Sequence, residues 1–202
     1  MPDTSISPSL VKELREKTNA GMMDCKRALD EAAGDMAKAE ELLRKKGIAS
    51  ASKKASRVAR EGIVASYIHL QGKVGVLVEI NCETDFVAKN DVFREFVKDI
   101  TLHIAASHPL YVSREQVPEA LVQAEREIYA AQVTGKPANI LDKIVDGKVD
   151  KFYGTVCLLE QAFIKNPDLT IRDFVNSKIS ELGENIIIRR FTRYMVGEDL
   201  AA

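Results

Sequence analysis

From Val74 to Cys82 the chain alternates without a break. Val74, Val76, Val78, Ile80 and Cys82 fall on one side of an extended backbone, and Gly75, Leu77, Glu79 and Asn81 on the other. Successive side chains of a strand point to opposite faces, so this period of two reads as a strand with one buried face. Soon after, the period changes. Asn90 can cap a long helix on which Phe93, Val97, Ile100 and Ile104 recur at helical spacings. Any fold for this chain must therefore set a half-buried strand directly before an amphipathic helix. Thr84-Asp85-Phe86-Val87-Ala88-Lys89 joins the two, and Phe86 belongs to neither pattern. Two readings stay open for it: a core residue tucked under the loop, as most phenylalanines are, or an outward wedge for a partner.

The rest of this region reads as one α+β domain. A first strand from about Gly62 to Leu70 meets the second through Gln71-Gly72-Lys73, a short glycine-containing connection that implies antiparallel pairing. A third strand is expected at Ile186 to Met195, rich in β-branched and aromatic residues. Arg189, Arg190 and Arg193 within it are open to two roles, a solvated sheet face or pairing with carboxylates. Pro118 opens a helical segment to about Val133, Gly135-Lys136-Pro137 breaks it, and Ile140, Leu141, Ile144 and Val145 mark the next, a helical hairpin beside the sheet. Thr170 with Asp173 resembles a capping box for a helix that ends near Leu182 at Gly183.

The N-terminal residues read as a compact three-helix unit. Ser7 can cap a helix with Pro8 in its first position and Leu10, Val11 and Leu14 as its apolar stripe, ended by Gly21. Met22, Met23, Leu29 and Ala32 suggest a second helix. Gly34 breaks it, and Asp35 caps a third that carries Met36, Ala39, Leu42 and Leu43 up to Gly47. Neighbours on a helix lie about 100° apart, so one of Met22 and Met23 is expected to be exposed. Between Arg44 and Arg60 the chain is basic, with Lys45, Lys46, Lys53, Lys54 and Arg57 and no acidic residue. That stretch is either a solvated connector or a steering patch for an acidic partner face or RNA, with no interleaved aromatics for base stacking. The expected division is residues 1–55 for the three helices and basic linker, and 56–202 for an α+β core with an antiparallel sheet of three strands.

Composition narrows the function classes. A chain of 202 residues with 46% hydrophobic and 29% charged residues is ordinary for a globular protein with one core and a small satellite. A net charge of −1 gives no global attraction to nucleic acid or to an anionic membrane, so a protein partner is expected. No apolar run is long enough to span a bilayer, and Met1 to Leu10 lacks the features of a secretory signal, which points to the cytoplasm. Cys25, Cys82 and Cys157 are scattered and odd in number, as suits reduced thiols, with Cys82 on the apolar strand face. There is no glycine-rich loop ending in Gly-Lys-Ser or Gly-Lys-Thr, so the chain is not expected to bind nucleotide itself. His69, His103 and His108 are dispersed and read as surface or core-edge residues. No catalytic residue, metal site or cofactor is expected. A thiol enzyme using Cys25 or Cys82 would need a nearby base, and none is singled out.

Two long motifs carry a family resemblance. The segment Glu79 to Asn90, containing Thr84-Asp85-Phe86-Val87-Ala88-Lys89, and the segment Leu14 to Leu29, containing Arg15 and Gly21-Met22-Met23-Asp24-Cys25-Lys26, resemble the bacterial elongation factor Ts family. Lys151-Phe152-Tyr153 and Leu158 to Ile164 resemble it less specifically, and the likeness is weakest from Pro109 to Glu127. The resemblance implies a guanine-nucleotide exchange factor for elongation factor Tu, with a ubiquitin-associated-like N-terminal domain that grips the GTP-binding domain of its partner. It implies partner contacts at Arg15, Met22, Met23, Thr84, Asp85, Phe86 and Val87, with Phe86 inserting near the magnesium side of the partner and Asp85 drawing groups away from the metal. Longer relatives carry two related core halves and a C-terminal helical extension. The single core copy here, and a tail of only Gly197 to Ala202, lead to the expectation of a homodimer with the sheet and its helices at the interface. The competing class is an interaction module that tethers a partner without releasing nucleotide.

Overall fold

Ser7 and Asp35 open the first and third helices as expected. The Leu10 amide donates to Ser7 Oγ at 3.2 Å and the Lys38 amide to Asp35 Oδ1 at 3.1 Å, so each side chain satisfies a donor that a helix start leaves free. In the computed structural model, which describes residues 6–18, 20–133 and 137–198, the N-terminal unit consists of α1 (Pro8–Thr18), α2 (Met22–Glu31) and α3 (Met36–Lys54). Leu14, Cys25, Leu29 and Ala39 are fully buried between them, in a small core of their own.

Two of the glycines expected to stop helices here do something else. Gly21 stands immediately before α2 at φ −61°, extended backbone that any residue adopts. Gly47 lies inside α3, which runs on to Lys54. A Cβ at Gly47 would stand 3.6 Å from the backbone of Asn176, so the missing side chain lets two helices approach closely. Most of the basic stretch is thus helix, and several of its charges are paired: Lys45 with Glu41 at 2.6 Å, Lys46 with Asp24 at 2.7 Å and Arg57 with Glu83 at 3.5 Å.

The sheet has the strands β1 (Glu61–His69), β2 (Val74–Cys82) and, last in the chain, β5 (Ile187–Met195), in the order β1-β2-β5 and all antiparallel. The first strand stops one residue before Leu70 because Leu70, Gln71 and Gly72 form a tight turn with φ of 49°, 55° and 95°. Alternation along β2 is as read from the sequence: Val74, Val76, Val78, Ile80 and Cys82 are each at most 4% exposed. They are covered by α5 (Asp91–Ser107) and α8 (Ile171–Leu182), which contribute Phe93, Phe96, Ile100, Ile104, Phe174 and Ile179. Thr170 caps α8, accepting from the Asp173 amide at 3.0 Å, and Gly183 ends it at φ 77°.

The helices α6 (Glu119–Gln132) and α7 (Ala138–Val156) pack on each other as the expected hairpin, but instead of lying against the sheet they bury Val117, Val156 and Cys157 with Tyr111 and Leu121 in a small core of their own. Pro137 directly precedes α7, while Gly135 and Lys136 and the tail residues 199–202 lie outside the described residues. Among the described residues, the elements not expected include the one-turn helix α4 (Asp85–Ala88) and the short antiparallel pair β3 (Ala162–Phe163) and β4 (Asn166–Thr170). The arginines meet both expectations, since Arg189 and Arg190 pair with a carboxylate while staying 64% and 79% exposed on the sheet face. Arg190 Nε meets Glu79 Oε2 at 2.7 Å across the β2–β5 ladder, Arg189 approaches the same carboxylate at 3.6 Å, and Arg193 pairs with Glu198 at 3.2 Å.

His103 corrects the expectation of a core-edge histidine, since it is fully buried on α5. Its Nδ1 accepts from the Ile164 amide at 3.3 Å, which leaves the proton on Nε2 to donate to Gln161 Oε1 at 3.0 Å. Gln161 in turn donates to the Thr155 carbonyl at 2.7 Å, so one neutral imidazole ties α5 to the end of α7 and to the residue that follows β3.

Candidate functional site

The turn that follows Cys82 is built around Thr84. Its hydroxyl accepts from the Val87 amide at 3.3 Å and so starts α4. A helix turn divides its residues by angle. Ala88 is buried and Val87 packs on the core, which leaves Phe86 pointing away at 81% exposure. The core reading of Phe86 is excluded, because the inward positions of this single turn are already taken. Asn90 then accepts from the Val92 amide at 2.8 Å and starts α5, as the sequence indicated. Asp85 stands beside Phe86, and its hydrogen bond from Lys89 Nζ at 2.7 Å holds the carboxyl below its usual range, as an anion.

The other motif lies on the N-terminal helices. Met22 and Met23 are both exposed, at 58% and 64%, where one was expected to be. The buried stripe of α2 is supplied by Cys25, Ala28 and Leu29, so neither methionine is needed inside. Flexible and polarizable, they present soft apolar surface to solvent. Arg15 is exposed on α1 and lines a cleft with Lys12, Val92, Glu95, Phe96 and Lys178, which brings it against the start of α5. A Cβ on Gly21, just before the methionines, would stand 3.7 Å from Glu181 near the end of α8. The two motifs, far apart in the chain, are thus joined through α5 and α8 into one body.

Sequence reasoning missed the residues that fasten the Thr84 turn. Glu184, after the stop at Gly183, accepts from the amides of Glu83 at 2.9 Å and Thr84 at 3.1 Å and from the Thr84 hydroxyl at 2.6 Å. Glu83 answers by accepting from the Asn185 amide at 2.6 Å. The only hint in the sequence was a polar pair, Glu184-Asn185, between a helix stop and an apolar strand.

All three cysteines are buried and free. Burial, with the Glu184 charge second, pushes the Cys82 thiol up to about 11, and burial with Glu160 does the same for Cys157. Cys25 is likewise raised by burial. Each shift disfavours the thiolate that a nucleophile requires. Among the described residues, no group of His, Cys, Asp and Glu is placed to hold a metal ion, and no helix is long and apolar enough to cross a membrane.

Comparison with known proteins places these features in context. Residues 10–198 match the family model described as Elongation factor TS. The chain is 60% identical over 198 residues to Elongation factor Ts of Carboxydothermus hydrogenoformans, covering 97% of this chain and 91% of that one. It is 58% identical to Elongation factor Ts of Geobacter sulfurreducens, over 97% of this chain and 92% of that one. The protein of the same name from Thermoanaerobacter pseudethanolicus is also 58% identical, over 96% of this chain and 97% of that one.

Proposed function

The chain belongs to the elongation factor Ts family of translation elongation factors, and we propose that it binds elongation factor Tu carrying GDP and speeds the release of that GDP. The observation that carries this reading is Phe86, a large apolar side chain held out at 81% exposure beside an anionic Asp85. Exchange needs no bond-making. A factor that binds the nucleotide-free GTPase more tightly than the nucleotide-bound form weakens nucleotide binding by the same factor, through linkage. The magnesium and phosphate site is the vulnerable point, because Mg²⁺ demands near-ideal octahedral geometry.

In this mechanism Phe86 inserts near the magnesium side of the partner, Asp85 draws groups away from the metal, and Thr84 and Val87 frame the contact. Arg15, Met22 and Met23 dock on the GTP-binding domain. Full burial of a phenylalanine is worth about 1.5–3 kcal/mol, enough for a change of about tenfold to a hundredfold in nucleotide affinity. The chain itself binds neither nucleotide nor nucleic acid here, and its place of action is the cytoplasm, where translation factors meet.

The self-association expected above has a candidate surface. Paired residues of a ladder share a face, and Val64, Ile68, Leu77 and Tyr194 are exposed together on the side of the sheet away from α5. We propose that a second copy covers this face. Sedimentation at micromolar concentration should then give a dimer, and Leu77→Glu should shift it toward monomer; a wild-type monomer with full exchange activity would remove this element.

The test of the main reading is the release of fluorescent GDP from purified elongation factor Tu with this protein substoichiometric. Acceleration of the whole population establishes turnover. Binding without acceleration would leave a tethering module instead.

A further inference from the structure

We propose that Glu184 is a positioning residue for nucleotide release, holding the Thr84–Phe86 turn in the orientation that presents Phe86 to the partner. The proposal rests on the exchange reading above and names what makes that surface rigid. Phe86 cannot orient itself, since its side chain is largely in water and the α4 helix that carries it is four residues long. A single helical turn is not stable alone, because nucleation fixes several residues for one hydrogen bond. Its orientation therefore comes from the inward packing of Val87 and Ala88 and from the bonds at its base.

That base is fastened by hydrogen bonds to Glu184 and its surroundings, beside the packing of Val87 and Ala88 on the core. One oxygen of the carboxylate accepts the Glu83 and Thr84 amides, and the other accepts the Thr84 hydroxyl. Bonds to an ionised acceptor are the strong ones. The last of them has a second effect. A hydroxyl has one proton, so donating it to Glu184 turns the lone pairs of Thr84 Oγ1 toward the Val87 amide, which is the bond that starts α4. Glu184 thus sets the rotor that caps the turn carrying Phe86. The opposite strap reinforces it: Glu83 Oε1 accepts the Asn185 amide and meets Arg57 at 3.5 Å, and Asn185 Nδ2 donates to the Arg57 carbonyl at 2.9 Å.

The sheet does not need this clamp. β2 and β5 are already paired as far as Asn81 and Ile187, so the added restraint falls on the turn alone. The same segment also continues α8, which touches the N-terminal unit at Gly47 through Asn176 and at Gly21 through Glu181. Glu184 therefore fixes Phe86 relative to Met22 and Met23, so that once the N-terminal contacts are made Phe86 is already oriented for the release step.

The experiment measures GDP release from elongation factor Tu over a range of partner concentrations, for wild type, Phe86→Ala, Glu184→Ala and the double variant, with Glu184→Gln and Thr84→Val as milder changes. Glu184→Ala should lower the maximal release rate about tenfold while the partner concentration for half-maximal rate moves less than about twofold, as expected when the interaction removed is one made only at the release step. In the Phe86→Ala background it should add little, because both changes remove one event. Glu184→Gln, which keeps the shape and part of the acceptor set, should recover part of the rate, and Thr84→Val should fall below wild type. A wild-type maximal rate in folded Glu184→Ala, or losses that multiply with Phe86→Ala, would overturn the positioning role. If Glu184→Ala does not fold, Glu184→Gln and Thr84→Val decide by the same criteria. Absence of acceleration by wild type would instead remove the exchange reading, and this proposal with it.

Discussion

Five phenylalanines of this chain sit close together in space or sequence and are used in opposite ways. Phe93, Phe96, Phe163 and Phe174 are at most 2% exposed. They hold each other, with Phe163 stacked on Phe174 at 4.6 Å and Phe96 edge-on to Phe174 at 5.2 Å. Phe86, one short turn before Phe93, is 81% exposed. A buried ring takes its position from its neighbours. An exposed one must take it from the backbone, and here the backbone takes it from Thr84, Glu184 and Asn90. The difference separates the rings that fold the protein from the one it leaves exposed.

Truncation should expose that division most strongly in the stack. Phe174→Ala removes the ring that touches two others and should cost about 3–5 kcal/mol, read as a lowered denaturant midpoint. Next comes Phe86→Ala, which should slow assisted GDP release by about tenfold to a hundredfold. The same variant should change folding stability by no more than about 0.5 kcal/mol, as for a surface substitution. A large stability loss at Phe86 would erase the contrast.

The buried side of the comparison also carries a pH dependence. His103 lies 6.2 Å from the Phe163 ring, and burial lowers its proton affinity against the opposing pull of Gln161. The unfolded chain then binds the proton more tightly than the folded one. This contribution to stability is complete above the ordinary value of 6.5 and is lost as pH falls from there through the lower folded value. His103→Gln should flatten that part of the urea-midpoint profile between neutral and mildly acidic pH. The smallest effect expected is at the surface: Arg190→Gln, breaking an exposed pair with Glu79, should shift stability by under about 1 kcal/mol.

What the sequence disclosed follows from whether a signal is local. Alternation along Val74 to Cys82 marks its own buried face, and Asn90, Asp35 and Thr170 each cap a helix within a few residues of themselves. Gly47 and Gly21 misled because glycine before or after a helix looks the same as glycine where two helices touch; only Asn176 and Glu181, far along the chain, distinguish the cases. Glu184 and the His103 hub were illegible for the same reason. Their partners are remote in sequence, and nothing near them announces a bond. Phe86 was half legible: its position outside both periodicities marked it, but the choice between core and surface waited on α4, too short to leave a period of its own.

The central claim is that an exposed phenylalanine, fixed by its backbone, drives nucleotide release. The most direct measurement is the rate of fluorescent GDP release from elongation factor Tu with wild type and with Phe86→Ala, both at saturating concentration and both verified as folded. The account predicts strong acceleration by wild type and a loss of about tenfold or more in the variant. Equal acceleration by the two proteins would contradict it.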